Sequence, residues 1–487
     1  MTAVSNNASS SPLPRLDSFI AGKVHPTQGS VSVLTSPVDL QPCAELVECP
    51  ASVVNEAVRD AHAAYLQHRR SSLAQRSQWL GAAAAAVEAA APQITAMLIR
   101  DIGKPKKAAS FEVNRSAAFL RACAAQVLNL SGETVPVDAV PGGAGRMGFT
   151  RHIPFGVVAA VTPFNAPINL LVQKVGPALA AGNAVVVKPH PAATRVALQV
   201  AQLFIQAGLP AGLFNVVTGD RDAAQALVRD ELVMAVTFTG GTAAGDALVR
   251  AAGAKKFLAE LGSNAANIVL ADADVEAAAK RIAGAAFEAS GQQCISAQRV
   301  IVEAPVYDQF LQAFVSAAKA LKVGDPADDS VDVGPMVSLG SAQRVMGMMA
   351  DAIARGARYA LQPTQDGCIV SPGIAIDVPT EAQMWCDEAF GPIALVQKVS
   401  DVDAALAAAN DSPFGLQGAL FTRSLASAMR FSEEFDVGSL WVNEASRFRL
   451  DMYPFGGVKR SGFGREGIKY AIEEMSQIKF TGINWQN

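Results

Sequence analysis

Three residues in this chain have side chains and settings suited to covalent chemistry at a carbonyl. Cys294 lies in ASGQQCISAQR, where a glycine and two glutamines precede it. A single cysteine is ordinarily a small buried apolar residue. This setting instead suits a backbone turn in a polar cleft, where a thiol can act as a nucleophile. Glu260 ends the apolar run KFLAEL, and a carboxylate in such a place is rare without a partner or a task. Asn165 lies in TPFNAP, stiffened by Pro163 and Pro167. Nucleophile, base and amide donor are the parts that acyl chemistry requires.

The remaining cysteines (Cys43, Cys49, Cys123, Cys368, Cys386) form no CxxC pair, and the five histidines form no HExxH. No metal site is expected. His25, His62, His68, His152 and His190 all lie far from Cys294 in sequence, which disfavours a cysteine–histidine hydrolase.

Two glycine motifs read differently. FTGGTAAG (238–245) follows a strand-like run and opens a helix, so Gly240 and Gly241 would let backbone approach a phosphate at a helix N-terminus. SGFGREG (461–467) contains a formal GxGxxG, but too little chain follows for a dinucleotide unit. A turn or helix cap is expected there.

The elements that must hold these residues are legible in the alternation of the chain. Residues 50–130 read as helical, including Val53 to Tyr65 and a run over 80–100. The segment 131–151 is punctuated by proline and glycine and suggests a hairpin arm or a crossing between lobes. From 156 on, GVVAAV, AVVVK, FNVV, MAVTF and KFLAEL alternate with helical segments. A second series follows from NIVL through GSLWV. This predicts an α/β protein with two Rossmann-like parallel-sheet domains. Ligands in such sheets bind beyond the carboxyl ends of the strands. TPFNAP, KPHP, TGD, TGGTAAG and ELGS fall at those ends.

The chain has 487 residues, half of them hydrophobic, 17% charged and 6% aromatic. That excludes a wholly disordered protein, a collagen-like fibre and a disulfide-stapled mini-protein. Net charge is −4, which supplies no basic field for nucleic acid or anionic lipid. The apolar stretches are too short to cross a membrane. The opening MTAVSNNASSSPLP does not read as a secretory signal, so residues 1–14 are expected to be a flexible tail on a cytoplasmic protein.

From about residue 15 onward the sequence resembles the aldehyde dehydrogenase superfamily. The matching pieces are TPFNAPINLLVQKVGPALAAGNAVVVKP (162–189), FNVVTGD (214–220), FTGGTAAG (238–245), LAELGSNAANIVL (258–270), GQQC (291–294), EAFGPI (388–393) and PFGGVKRSGFGREG (454–467). The 34 residues separating Glu260 from Cys294 also agree. The resemblance implies NAD(P)-dependent, non-acylating oxidation of an aldehyde to an acid. Cys294 would form a thiohemiacetal and then a thioester, Asn165 would stabilise the oxyanion, and Glu260 would activate water. Lys174 and Glu466 match positions linked to proton relay. Phe164, Asn165, Lys188, His190, Gly219, Thr239, Gly240, Gly241, Leu261, Glu388 and Phe390 match positions around the dinucleotide.

Pro191 stands where NAD-preferring members often carry a glutamate. That absence removes a charge that would repel a 2′-phosphate and favours acceptance of NADP. Arg449, Asp451 and Pro454, in RLDMYPFGG, resemble members acting on lactaldehyde, phosphonoacetaldehyde or glyceraldehyde 3-phosphate. Arg115, Arg449 and Phe455 are therefore expected at a small polar or anionic substrate. Ala166 and Gln293 depart from that subgroup. The implied domains are a dinucleotide-binding part (15–130 and 153–258), a catalytic part (259–465) and an oligomerisation arm (131–152 and 466–487). The arm implies a homodimer or homotetramer. The alternatives are a CoA-acylating enzyme, which Glu260 disfavours, and a catalytically silent protein on the same fold.

Overall fold

The computed structural model describes residues 12–485, so all but the last three residues of the expected tail lie outside the described residues. Four helices open the chain: α1 (Ala51–His68), α2 (Leu73–Ala89), α3 (Ala91–Ile102) and α4 (Lys106–Gln126). The helical run expected over 80–100 is not continuous. Pro92 lacks an N–H and fits only a first turn, so a new helix starts at Ala91, bent 67° from α2.

The first sheet has eight strands. From edge to edge they are Gly462–Phe463, Lys256–Glu260, Val233–Thr239, Val157–Thr162, Ala184–Pro189, Phe214–Val216, Ser18–Ile20 and Lys23–His25. The five central strands are parallel, and the outer pairings at both edges are antiparallel. The strands Val157–Thr162 and Ala184–Pro189 are buried throughout, as a sheet covered on both faces requires. Helices α5 (Asn169–Ala181), α6 (Thr194–Gln206), α7 (Arg221–Arg229) and α8 (Thr242–Ala252) connect them, and every residue of α5 is buried.

The second sheet has seven strands, in the order Arg358–Leu361, Gly373–Ile376, Ile393–Val399, Arg299–Glu303, Ala266–Val269, Gln417–Phe421 and Ser439–Val442. Only the first of these is antiparallel to its neighbour. Helix α9 (Val275–Phe287) covers this sheet and leads to the Cys294 loop. In a third sheet Arg146–Pro154 pairs with Ser476–Asn484 on one side and with Thr134–Val135 on the other. It forms the small β arm. No single helix among the described residues is long and apolar enough to cross a membrane.

The SGFGREG segment does more than turn. Gly462–Phe463 pairs antiparallel with the strand bearing Glu260, setting Gly462 opposite Glu260 and Phe463 opposite Ala259. Gly462 has φ +119°, and a Cβ there would lie 1.9 Å from the Ala259 carbonyl oxygen, so no larger residue fits. Gly467 caps the short helix Ile468–Glu474. The expected domain boundary after 258 thus falls inside a strand, and that strand's neighbour comes from near the end of the chain.

Candidate active site

The Cys294 loop is built on an unusual backbone. Just beyond α9, Ala289, Ser290 and Gly291 take φ of 53°, 59° and 63°. Two non-glycine residues in this region store about 1–3 kcal/mol each. The surroundings hold them there. Ser290 Oγ donates to the Gly334 carbonyl at 2.8 Å, and Ala289 N–H donates to the Asp332 carbonyl at 3.1 Å. The Val337 N–H donates to Gln292 Oε1 at 3.0 Å. Cys294 emerges half-buried against Ile295, Leu416, Tyr453 and Phe455. Burial, together with the nearby Glu388 and Glu260 charges, pushes its thiol up to about 12. The resting sulfur is therefore protonated.

Glu260 ends its strand between Thr239 and Gly462. Burial, with the charge of Glu466 second, holds its carboxyl well above the usual range. Its Oε2 is buried without a hydrogen-bond partner. Lys174, on α5, donates to Glu466 Oε1 at 3.0 Å and to Thr237 Oγ1 at 3.2 Å. A cavity of about 10 Å³ lies between Glu260, Lys174 and Glu466, room for about one water. Burial alone would raise the Glu466 carboxyl, but the Lys174 and Arg449 charges outweigh it and hold the group below its ordinary value.

Asn165 and the Cys294 loop share a wall. Phe164, Asn165, Ala289, Ser290 and Gln292 line one small cavity. The Asn165 carbonyl accepts from Lys104 Nζ at 2.8 Å. Its side-chain amide makes no hydrogen bond among the described residues and is free to donate.

Residues expected at the dinucleotide cluster at the strand ends. Lys188 is buried, with Asp220 Oδ1 3.9 Å from its Nζ. His190 packs tilted on Phe164 at 5.1 Å and accepts from Ala192 N–H. Burial, reinforced by the Lys188 charge, lowers it to about 4, so the ring is neutral at pH 7. Gly219 has φ +120°. Thr239 Oγ1 is buried and unpartnered. Gly240 N–H donates to the Glu260 carbonyl at 3.1 Å, and Gly241 is the N-cap of α8, with nothing within 4 Å of where its Cβ would stand. An open helix N-terminus beside an unsatisfied hydroxyl suits a pyrophosphate. Leu261 is buried against the Gly245 position, and its N–H donates to the Ser461 carbonyl. Glu388 accepts from Ser263 N–H at 3.0 Å, and burial raises it to about 7. Phe390 has φ 47° and meets Phe164 edge-on at 5.7 Å. These residues fit a bound dinucleotide.

Of the three residues expected at the substrate, Arg115 and Arg449 line the large cleft but are each held in an ion pair, and Phe455 is buried. Arg449 donates to Glu466 Oε2 and to Gln173 Oε1, both at 2.9 Å, and its guanidinium lies 3.7 Å over the buried Phe455 ring. Arg115 grips Asp451 with two bonds of 3.0 and 2.6 Å, and Asp451 also accepts from Gln173. A chain of alternating charge therefore runs from Arg115 to Lys174. Beside it opens a cleft of about 1080 Å³ reaching Ala166 and Gln293, the neighbours of Asn165 and Cys294.

Sequence reasoning missed Lys104, Glu112 and Glu48, and placed Asp220 only as part of the TGD loop. A lysine locked between Gly103 and Pro105 was the available signal for the first. The others declare themselves only through contacts with distant segments.

The comparisons with known proteins agree with this geometry. The aldehyde dehydrogenase family profile matches residues 24–481. The 3-sulfolactaldehyde dehydrogenase of Priestia aryabhattai is 39% identical over 96% of this chain and 97% of its own. The sulfoacetaldehyde dehydrogenase of Neptuniibacter caesariensis is 35% identical over 92% and 98%. The NADP complex of NADP-dependent glyceraldehyde-3-phosphate dehydrogenase from Bacillus halodurans C-125 superposes with a TM-score of 0.94, at 31% identity over 97% and 99%. Sequence, fold and the assembled site agree: the chain belongs to the aldehyde dehydrogenase family and is an NAD(P)-dependent, non-acylating oxidoreductase acting on aldehydes.

Proposed function

We propose that the substrate is a small anionic aldehyde, oxidised to its acid at Cys294. The observation that carries this reading is the charge of the cleft. It is lined by seven basic and four acidic side chains in a protein of net charge −4. Arg115 and Arg449 are matched by Asp451 and Glu466 outside that lining, so the surplus positive charge rests on Lys280 and can draw an anion into the cleft beside Gln293. Lys107, Arg281 and Arg447 face Asp332, Glu444 and Glu288, whereas Lys280 has no ion-pair partner among the described residues. Arg447 reaches the residue before the cysteine, donating to Gln293 Oε1 at 3.0 Å. Lys280 is therefore the cation best placed to meet an incoming anion, and Arg447, though paired with Glu288, lies nearest the cysteine loop. The relatives named as sulfonated- and phosphorylated-aldehyde dehydrogenases point the same way.

The residues divide the work as follows. The Cys294 sulfur adds to the aldehyde carbon as its proton passes to water in the cleft, and the Asn165 amide donates to the developing oxyanion. One such donor is worth about 3–4 kcal/mol. Lys188, Gly240, Gly241 and Glu388 would hold a dinucleotide, which when bound would supply the acceptor for the hydride lost from the adduct carbon. Glu260 then takes a proton from water through its free Oε2 as the water oxygen adds to the thioester carbon; the C–S bond breaks, the acid departs, and the Cys294 sulfur stays on the enzyme and regains a proton. Lys174 and Glu466 carry that proton away through the small cavity.

The Pro191 turn offers no carboxylate to a 2′-phosphate, so NADP is accepted beside NAD. Asp220, with Glu48 accepting its N–H at 2.9 Å, restrains that acceptance. The strand Ser476–Asn484 lies at a sheet edge with Ile478 and Phe480 exposed, which supports a homo-oligomer.

The test is a panel of neutral, carboxylated, sulfonated and phosphorylated aldehydes, assayed with NAD and with NADP, with and without CoA. Lys280→Met and Arg447→Met raise KM for the anionic members at least fivefold and leave the neutral ones unchanged. An equal effect on both, or a preference for neutral aldehydes, refutes the reading. A requirement for CoA identifies the acylating alternative.

A further inference from the structure

The Asn165 loop is held at both ends by one buried ion pair. Lys104 and Glu112 face each other with side chains only 7% and 4% exposed. Lys104 Nζ also donates to the carbonyl of Asn165 at 2.8 Å. Glu112 Oε1 accepts the N–H groups of Ile168 at 2.9 Å and Asn169 at 3.1 Å. These are first-turn donors of α5, which no intrahelical acceptor can satisfy. A single pair of opposite charges thus clamps the peptide leaving Asn165 and the two that open α5, with only Ala166 and Pro167 between.

The clamp is itself anchored. Gly103 closes α3 with φ +69°, and a Cβ there would lie 2.9 Å from Pro335 Cβ. The next-but-two N–H, of Lys106, donates to the Pro326 carbonyl at 2.8 Å. Pro335 follows Gly334, whose carbonyl accepts from Ser290 in the Cys294 loop. The segment that presents Lys104 is therefore braced on the same backbone that holds the cysteine turn.

We infer that Lys104 and Glu112 are positioning residues, whose ion pair sets the Asn165 amide at the height where the Cys294 adduct develops its oxyanion. The proposal rests on the reading of Asn165 as the oxyanion donor. A neutral pair could satisfy the same backbone groups with less desolvation. What the charges add is direction: charge-assisted bonds are shorter and more strongly oriented than neutral ones. The demand for orientation is large, since misplacing a catalytic group by about 1 Å costs on the order of 100-fold in rate.

The experiment is a double-mutant cycle on the full-length enzyme. Lys104→Met and Glu112→Asp, which keeps the charge but withdraws it by one methylene, are each made in wild type and in Asn165→Ala. Hydride transfer is followed in single turnover at 340 nm. Dinucleotide affinity is measured by fluorescence titration. In wild type, each substitution lowers the hydride-transfer rate about 10- to 100-fold, with dinucleotide affinity changed less than threefold. In Asn165→Ala, the same substitutions cost no more than about twofold, because the amide they position is gone. Equal losses in both backgrounds overturn this proposal and leave the Asn165 reading standing. A wild-type rate for Glu112→Asp also overturns it, even if Lys104→Met fails to fold. A wild-type rate for Asn165→Ala itself overturns the oxyanion reading and the proposal with it.

Discussion

Replacing Arg449 by methionine separates two roles for this arginine, gripping substrate and holding Glu466. Methionine keeps an apolar surface over the Phe455 ring and removes the charge. The lost contacts are the 2.9 Å bond to Glu466 and the 2.9 Å bond to Gln173. The side chains of Arg449 and Glu466 are only 8% and 11% exposed, so solvent screens this pair little. Breaking a buried pair by removing one partner costs about 3–5 kcal/mol. Lys174 remains 3.0 Å from Glu466, which places the loss near the lower end, about 3 kcal/mol.

The pH dependence follows from the sign of the Glu466 shift. Its carboxyl sits below the ordinary 4.5 because the two cations outweigh burial. Its stabilisation is therefore full above that value and fades as pH falls through the depressed one. With Arg449 gone, burial gains on the single remaining cation, so the acid limb of both stability and kcat moves to higher pH. Denaturant unfolding at pH 7 and a kcat profile from pH 5 to 9 measure these effects. KM for anionic and neutral aldehydes shifts by the same factor. Undiminished stability with a raised KM for anionic aldehydes alone would refute the reasoning and make Arg449 a substrate ligand.

Three further outcomes are expected. Glu260→Gln gives a burst of one reduced dinucleotide per active site and then a steady rate lower by about 10²–10⁴; a steady rate near wild type would remove Glu260 from the deacylation step. Asp220→Asn combined with Glu48→Gln raises the NADP-to-NAD ratio of kcat/KM, by up to about fivefold for such exposed charges, and an unchanged ratio would show that neither carboxylate meets the 2′-position. Alkylation of Cys294 in the dinucleotide-free enzyme, followed by peptide mass spectrometry, keeps accelerating past pH 9 because the thiol is pushed up to about 12; a plateau near neutrality would show a thiolate already formed at rest.

Both parallel sheets were legible because their strands are short, apolar and separated by helical spacing, and the strand-end loops followed from that. The tertiary partners were not. Arg115 finds Asp451 336 residues away, and Lys174 finds Glu466 across 292. No local pattern marks such pairings, so the ion pairs that hold Arg115 and Arg449 at the wall of the cleft could not be read from the sequence. Lys104 and Glu112 escaped for a related reason: their targets are backbone groups, which carry no side-chain signature. The break at Ala90 was a local signal overlooked, since Pro92 stands in plain view. Gly462 was read through its motif, and only the register against Ala259 shows why a glycine is required.

The pairing of Gly462 with Glu260 also bears on how the chain is made. It joins residues 202 apart. During synthesis at about 5–20 residues per second, the Lys256–Glu260 strand waits roughly 10–40 s with its outer edge open. An open strand edge is a template for pairing with other chains. A nascent molecule stalled before residue 462 therefore carries a nearly complete first sheet with an exposed seam beside its future catalytic carboxylate. Chaperone dependence should peak in that interval and end with the arrival of the final segment.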